Sequence, residues 1–299
     1  MLPLRHAVPI VLLLSAAGLR AQELAPRAYW PAPTGTRLIS IGYVHSAGDV
    51  LLDKALPIDD VDAETHGLSL NYLQFFSLAG RTASFTLEVP SARSDFDFAV
   101  MGQTGNRELS GLGDPRLRLA VNLHGAPAMT RSEFQAFRKS PGDVFGASLR
   151  IVLPTGSYDS DRLANIGANR WAFKPELGYL HPFGQWVLEI DAGVWLYTSN
   201  DDFLGGTLRQ DPLFSAELHL VRELGRGLWT SVDLNGFYGG RTTVDGSESD
   251  NRQQNSRIGL TFVYPFAKRH ALKVAISTGL TTRSGGDFDT AILAYSLAV

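Results

Sequence analysis

The sequence predicts an all-β fold, an antiparallel up-and-down transmembrane β-barrel of about twelve strands, and three observations carry that expectation. Apolar and polar residues alternate along most of the chain, as in Asp114-Pro-Arg-Leu-Arg-Leu-Ala-Val-Asn-Leu-His124, where Leu117, Leu119, Val121 and Leu123 share one face and Arg116, Arg118 and Asn122 the other. The N-terminus has the form of a cleavable export signal: Arg5 and His6 precede an apolar stretch from Ala7 to Gly18, and Leu19-Arg20-Ala21 ends on a small residue. Beyond it, charged residues, Gly or Asn interrupt every apolar run, so an integral chain has to close as a barrel. The expected organisation is residues 1–21 as signal peptide, 22–34 as a short periplasmic N-terminal segment and 35–299 as the barrel.

The strands follow in order from the alternation and from turn residues at their ends, at about 35–45, 66–78, 82–90, 114–124, 144–154, 170–181, 185–198, 211–223, 227–239, 255–266, 270–283 and 287–299. Their apolar sets include Ile39, Ile41 and Tyr43 in the first, Leu68, Leu70 and Tyr72 in the second, and Leu272, Val274 and Ile276 in the eleventh. Connections alternate between long (46–65, 91–113, 199–210, 240–254) and short (Ala79-Gly80-Arg81, Pro182-Phe183-Gly184, Leu224-Gly225-Arg226, Ala267-Lys268-Arg269). Short periplasmic turns and long external loops are the barrel pattern, and an even strand count places both termini in the periplasm. The segment 125–143 breaks the pattern by its length, and Thr130 to Phe137 within it reads as a short helix. Aromatics then fall at two rims, Tyr264, Phe266, Trp186 and Phe76 at one and Trp171, Tyr43 and Tyr238 at the other. Pro175 inside the sixth strand suggests a bulge. The competing fold is a secreted soluble β-sandwich or lipocalin-like barrel, in which the two faces are exchanged and the apolar set is core.

Composition excludes several functions. The 299 residues contain no Cys, so neither a disulfide framework nor thiol chemistry is available, and a net charge of -3 without basic-aromatic clusters argues against nucleic acid. No cofactor motif and no full calcium-loop ligand spacing is present. Asp59-Asp60-Val61-Asp62 and Asp201-Asp202 read as solvated acidic loops before they read as calcium ligands. A lipid hydrolase needs Ser, His and an orienting acid within reach, and the adjacent His45-Ser46 would point to opposite faces of a strand. The chain is therefore not expected to be an enzyme.

Several segments resemble the transporter family named for the MetA pathway of phenol degradation, a group of outer-membrane proteins. They are Gly111-Leu-Gly-Asp-Pro115, Leu153-Pro-Thr-Gly-Ser-Tyr-Asp159, Asn165-Ile-Gly-Ala-Asn-Arg-Trp-Ala-Phe-Lys-Pro-Glu-Leu-Gly-Tyr179, Asn200-Asp-Asp-Phe203, Gln210-Asp-Pro212 and Tyr238-Gly-Gly-Arg-Thr-Thr243. The resemblance runs from about residue 30 to the end, and it implies a bacterial outer-membrane channel or transporter for small organic solutes, aromatic compounds among them.

If the apolar face meets lipid, the polar face lines a lumen, and that lumen is the candidate site. Arg116, Arg118, Arg150 and Lys174 form a basic arc, and Glu189, Asp191, Glu217 and Asp233 an acidic one, with Glu176 and His219 mixed between them. A divided wall would set up a transverse field that orients dipolar solutes. Trp195, Tyr197, Trp229 and Phe237 also point inward, either as a greasy surface for aromatic solutes or as filling. The alternatives are a non-conducting structural or adhesive barrel and, behind it, an outer-membrane lipid hydrolase. Expected partners are outer-membrane lipid, a small-molecule solute and the barrel-assembly machinery during biogenesis; the final strand keeps Tyr295 and Leu297 on the lipid face although the chain ends in Val299.

Overall fold

The computed structural model describes residues 24–51, 58–100 and 103–299, so the expected signal peptide lies outside the described residues. In chain order the elements are β1 (Arg37–Leu51), β2 (Ile58–Leu78), β3 (Arg81–Val100), β4 (Gln103–Leu112), β5 (Arg116–His124), α1 (Arg131–Phe137), β6 (Val144–Val152), β7 (Ala172–Phe183), β8 (Trp186–Tyr197), β9 (Asn200–Phe203) and β10 (Gly206–Gln210). There follow β11 (Leu213–Gly225), β12 (Leu228–Gly239), β13 (Thr242–Val244), β14 (Ser247–Glu248), β15 (Gln253–Ala267), β16 (His270–Thr281) and β17 (Gly285–Ala298).

The antiparallel ladder runs β2-β1-β17-β16-β15-β12-β11-β8-β7-β6-β5-β3, and β2 pairs with β3 to close it. One wall position is shared: β5 pairs with the lower part of β3 from Ala83↔Val121 to Glu88↔Arg116, and β4 with the upper part from Ser91↔Leu112 to Val100↔Gln103. Between them Gly113-Asp114-Pro115 leaves the ladder, where Pro115 has no N–H to give. The result is a closed barrel of 12 strands.

Which face is buried separates the two candidate folds. Ile41, Leu70, Leu260 and Ile276 stand at least half exposed on the outside, while Lys174, Glu176, Asp191, Glu217, His219 and Asp233 are among the most buried side chains. A soluble barrel has the reverse arrangement. An apolar exterior around a polar interior is stable only in hydrocarbon, so this is a transmembrane barrel of the outer-membrane kind.

The short turns form as read: Ala79-Gly80, Gly184 and Gly225-Arg226-Gly227 take the positive φ that tight hairpins need. The short helix also forms, and Thr130 and Glu133 close a reciprocal capping box at its start, which holds the Glu133 carboxyl below its usual range. Two differences concern residues read as loop. The first four strands continue well past the apolar band, because 46–51, 61–65, 91–99 and 103–112 keep the alternation but put charge on the outer face. There Arg93 pairs with Glu108 at 2.7 Å and Asn106 donates to Asp97 at 2.8 Å. Cross-strand polar pairs extend a ladder beyond the lipid as effectively as apolar ones do within it. The loops 199–210 and 240–254 likewise fold, into β9, β10, β13 and β14, which form a separate four-stranded sheet. Pro175 causes no bulge: it pairs with Leu149, and the β7–β8 ladder resumes after it in the same register.

Candidate functional site

The interior is not evenly open. Residues 22–34 were expected as a periplasmic segment, but 24–34 pack inside the wall, because the chain after the expected cleavage point carries aromatic and cationic groups for which the inner face has a fitted notch. Gly146 and Gly178 oppose each other across β6 and β7, and a Cβ at either would come within 2.3 Å of the Tyr29 ring. The ring fills that notch. Its hydroxyl lies 3.0 Å from both Ser148 Oγ and Glu176 Oε1, the Arg118 guanidinium lies 4.8 Å from its centroid, and Asn122 donates to its carbonyl at 3.0 Å. The Arg27 guanidinium lies 4.8 Å from both the Trp30 and Trp229 rings and pairs with Glu223, while the Arg27 main-chain N–H donates to Glu189 at 2.5 Å. Phe137 of α1 meets Trp30 edge-on, centroids 6.1 Å apart, so the long connection caps this end of the inserted segment.

Above the segment lies a chain of buried ion pairs. Arg118 meets Glu176 at 3.3 Å, Lys174 meets Glu176 at 2.6 Å and Glu217 at 3.1 Å, and His219 lies 2.8 Å from Asp233 and 3.5 Å from Glu217. Thr261 completes it by donating to Asp233 at 2.7 Å. All eleven residues selected from the sequence therefore face the interior: Arg116 pairs with Glu88 at 3.1 Å, Arg150 and Asp191 are buried beside the network, and Glu189 holds Arg27. Trp195 joins Val152, Ala172, Leu213 and Phe237 in an apolar layer at the opposite end, with Tyr197 against it. Trp229 belongs to the other layer, with Tyr29, Leu180 and Val221.

These elements fill the β6–β12 side. Against them a cavity of about 340 Å³ remains, bounded by residues 25–28, by Leu73 and Phe75 of β2, by Glu88 of β3, by Arg116 and Arg118 of β5, and on the far side by Arg150, Glu176, Asp191 and Glu217. Sequence reasoning missed the inserted segment and Lys273, which also reaches the cavity. The signal for the former was an inward Gly pair in adjacent strands, legible only once register is known.

The segments that carried the family resemblance assemble at the end remote from the termini. Asp114 accepts the main-chain N–H of Gly156 at 2.9 Å and of Ala168 at 2.8 Å, and Ser157 N–H donates to Leu112 O at 2.7 Å. Asn200 donates to the Tyr158 hydroxyl at 2.8 Å and accepts from Asn169 at 3.0 Å, and Tyr158 donates to Asp202 O at 2.7 Å. They are a latch that folds 153–171 against the wall. The hydrolase pair does not assemble: Ser46 is buried inward against Thr290 at 3.0 Å, and His45 faces out toward Glu64. Asp201 and Asp202 are exposed in β9, and the Asp59 and Asp60 side chains lie outside the described residues.

Wall, lipid face and polar lumen define a transmembrane β-barrel of the outer-membrane class. Within it, the chain belongs to the family described as putative MetA-pathway of phenol degradation, which residues 46–293 match. The fold is similar to that of the COG4313 outer membrane channel from Pseudomonas putida F1, with a TM-score of 0.79 at 22% identity, covering 93% of this chain and 100% of that one. The β domain of the Bordetella autotransporter BrkA is more distant, at TM-score 0.51 and 14% identity, covering 89% of this chain and 100% of that one. The transport unit of the autotransporter AIDA-I from Escherichia coli has TM-score 0.54 at 8% identity, with 95% of each chain covered. No curated protein matched the sequence.

Proposed function

We propose that this chain is an outer-membrane channel that passes small organic solutes, aromatic compounds among them, along the cavity beside residues 25–28. The observation that carries the reading is a closed wall that encloses, beside the inserted segment, a cavity of about 340 Å³, the lower range of small-molecule sites. The cavity wall combines Leu73 and Phe75 with Arg116 and Arg118, which suits a solute with an apolar ring and a polar or anionic substituent. The basic arc of β5–β7 and the acidic arc of β8–β12 set a transverse field across the bore; their contact through Lys174 and Glu217 anchors the boundary between them. The termini stand in the periplasm, a reading supported by the short turns on their side and the long connections on the other. Export uses a cleaved signal over residues 1–21, and the barrel-assembly machinery inserts the chain through a last strand that keeps Tyr295 and Leu297 opposite Ile41 and Ile39.

A second reading, a non-conducting scaffold, is favoured by the inserted segment and the buried ion pairs. Purified protein in planar bilayers separates the two: the channel gives discrete conductance steps, whereas a silent bilayer at all voltages supports the scaffold.

A further inference from the structure

One cluster on the outer wall has no part in the lumen. His45 of β1 and His66 of β2 are directly opposed across their ladder, and Glu64 stands two residues along β2 on the same outward face. His45 Nε2 lies 3.0 Å, and His66 Nε2 3.3 Å, from the same atom, Glu64 Oε1. All three ligand atoms lie within 4.8 Å of one another, and among the described residues they form the one such group of three. With metal–ligand bonds of about 2.0–2.1 Å, adjacent donors of a tetrahedral site are about 3.3 Å apart. Two of the three spacings already match.

The surroundings favour ligation. His66 Nδ1 lies 2.7 Å from the Tyr43 hydroxyl, and when Nδ1–H donates there, the lone pair of Nε2 is directed at the cluster. The three backbones are fixed in a paired ladder, so little freedom is lost on binding. Two imidazoles and one carboxylate match zinc and its late first-row neighbours, whereas calcium and magnesium ask for an all-oxygen shell. The side chains are 39%, 56% and 43% exposed for His45, Glu64 and His66, which leaves a fourth position open. The group sits just beyond the outward apolar residues Ile41, Tyr43, Leu68 and Leu70, where the outer face turns from apolar to polar.

We propose that His45, Glu64 and His66 form a surface site for a zinc-class divalent cation, with Tyr43 orienting His66 and a fourth position open to water or an anionic oxygen. The ion ties β1 to β2 where the barrel wall leaves the lipid.

Cobalt(II) titration of untagged, chelator-treated protein in detergent, followed by visible absorption, tests this directly. The site predicts a d–d spectrum that saturates at about one equivalent, is displaced by zinc and persists in excess calcium. His45→Ala and His66→Ala each abolish it while the barrel keeps its heat-modifiable gel mobility, and Tyr43→Phe weakens it about tenfold. Absence of a saturable spectrum, or its retention in the His45→Ala/His66→Ala double variant, overturns the site; unchanged affinity in Tyr43→Phe overturns the orienting role.

Discussion

Replacing Gly178 by alanine tests whether residues 24–34 narrow the bore. The added Cβ would lie 2.1 Å from Tyr29 Cε2 and 2.4 Å from Asp191 Oδ1, both far inside contact distance. The β7 backbone cannot retreat, because it is paired with β6 on one side and β8 on the other. The Tyr29 ring therefore leaves its notch. Burial of an aromatic side chain contributes about 1.5–3 kcal/mol, and its hydroxyl contacts to Ser148 and Glu176 about 1 kcal/mol each. Part of this is offset by the freedom the segment regains, leaving a net loss of about 3 kcal/mol. That shifts the docked-to-undocked ratio by about two orders of magnitude. Single-channel recording reads the consequence: Gly178→Ala should raise the conductance step toward that of a variant lacking residues 24–33. If both variants fold as barrels and conduct like the parent, the segment does not limit the bore.

Four further outcomes follow from the same geometry. Arg116→Glu, on the cavity wall, should move reversal potentials toward cation preference, and an unchanged potential would remove the basic arc from the conduction path. Lys174→Met leaves Glu176 and Glu217 without their shared cation and should cost about 3–5 kcal/mol, seen as a lower temperature for loss of the folded gel band; an unchanged temperature would contradict the ion-pair account. Asp114→Ala deprives two main-chain N–H groups of their acceptor, so residues 153–171 should be cleaved faster by protease in intact cells, and equal cleavage would refute the latch. Hydrogen bonds from Tyr179 and His181 hold the Asp143 carboxyl below its usual range. A depressed carboxylate contributes stability that is present at neutral pH and lost as pH falls below roughly 4, so amide exchange in 125–143 should accelerate there, and Asp143→Asn should flatten that dependence.

The wall was legible because lipid and lumen impose opposite demands on alternate residues. Leu117, Leu119 and Val121 cannot serve the polar face, so period and register came together, and all eleven selected lumen residues point inward. The long connections were misread for a related reason. Past the lipid both faces of a strand are polar or small, so Asp62 and Glu64 look like loop although Ala63 and Thr65 beside them are buried. The inserted segment was hidden for a different one. Its fit depends on Gly146 meeting Gly178 across β6 and β7, a pairing between residues 32 apart that no local pattern reports. Asp114 shows the same limit: its two N–H partners are contributed by residues 156 and 168.

The central claim is that small organic solutes cross the bilayer through this bore. Uptake by liposomes containing the protein tests it most directly, with aromatic acids, fatty acids and sugars compared at matched concentration. Aromatic acids should enter at a rate well above empty liposomes, and faster in Gly178→Ala than in the parent. Equal, background entry for every solute in both proteins would contradict a conducting lumen.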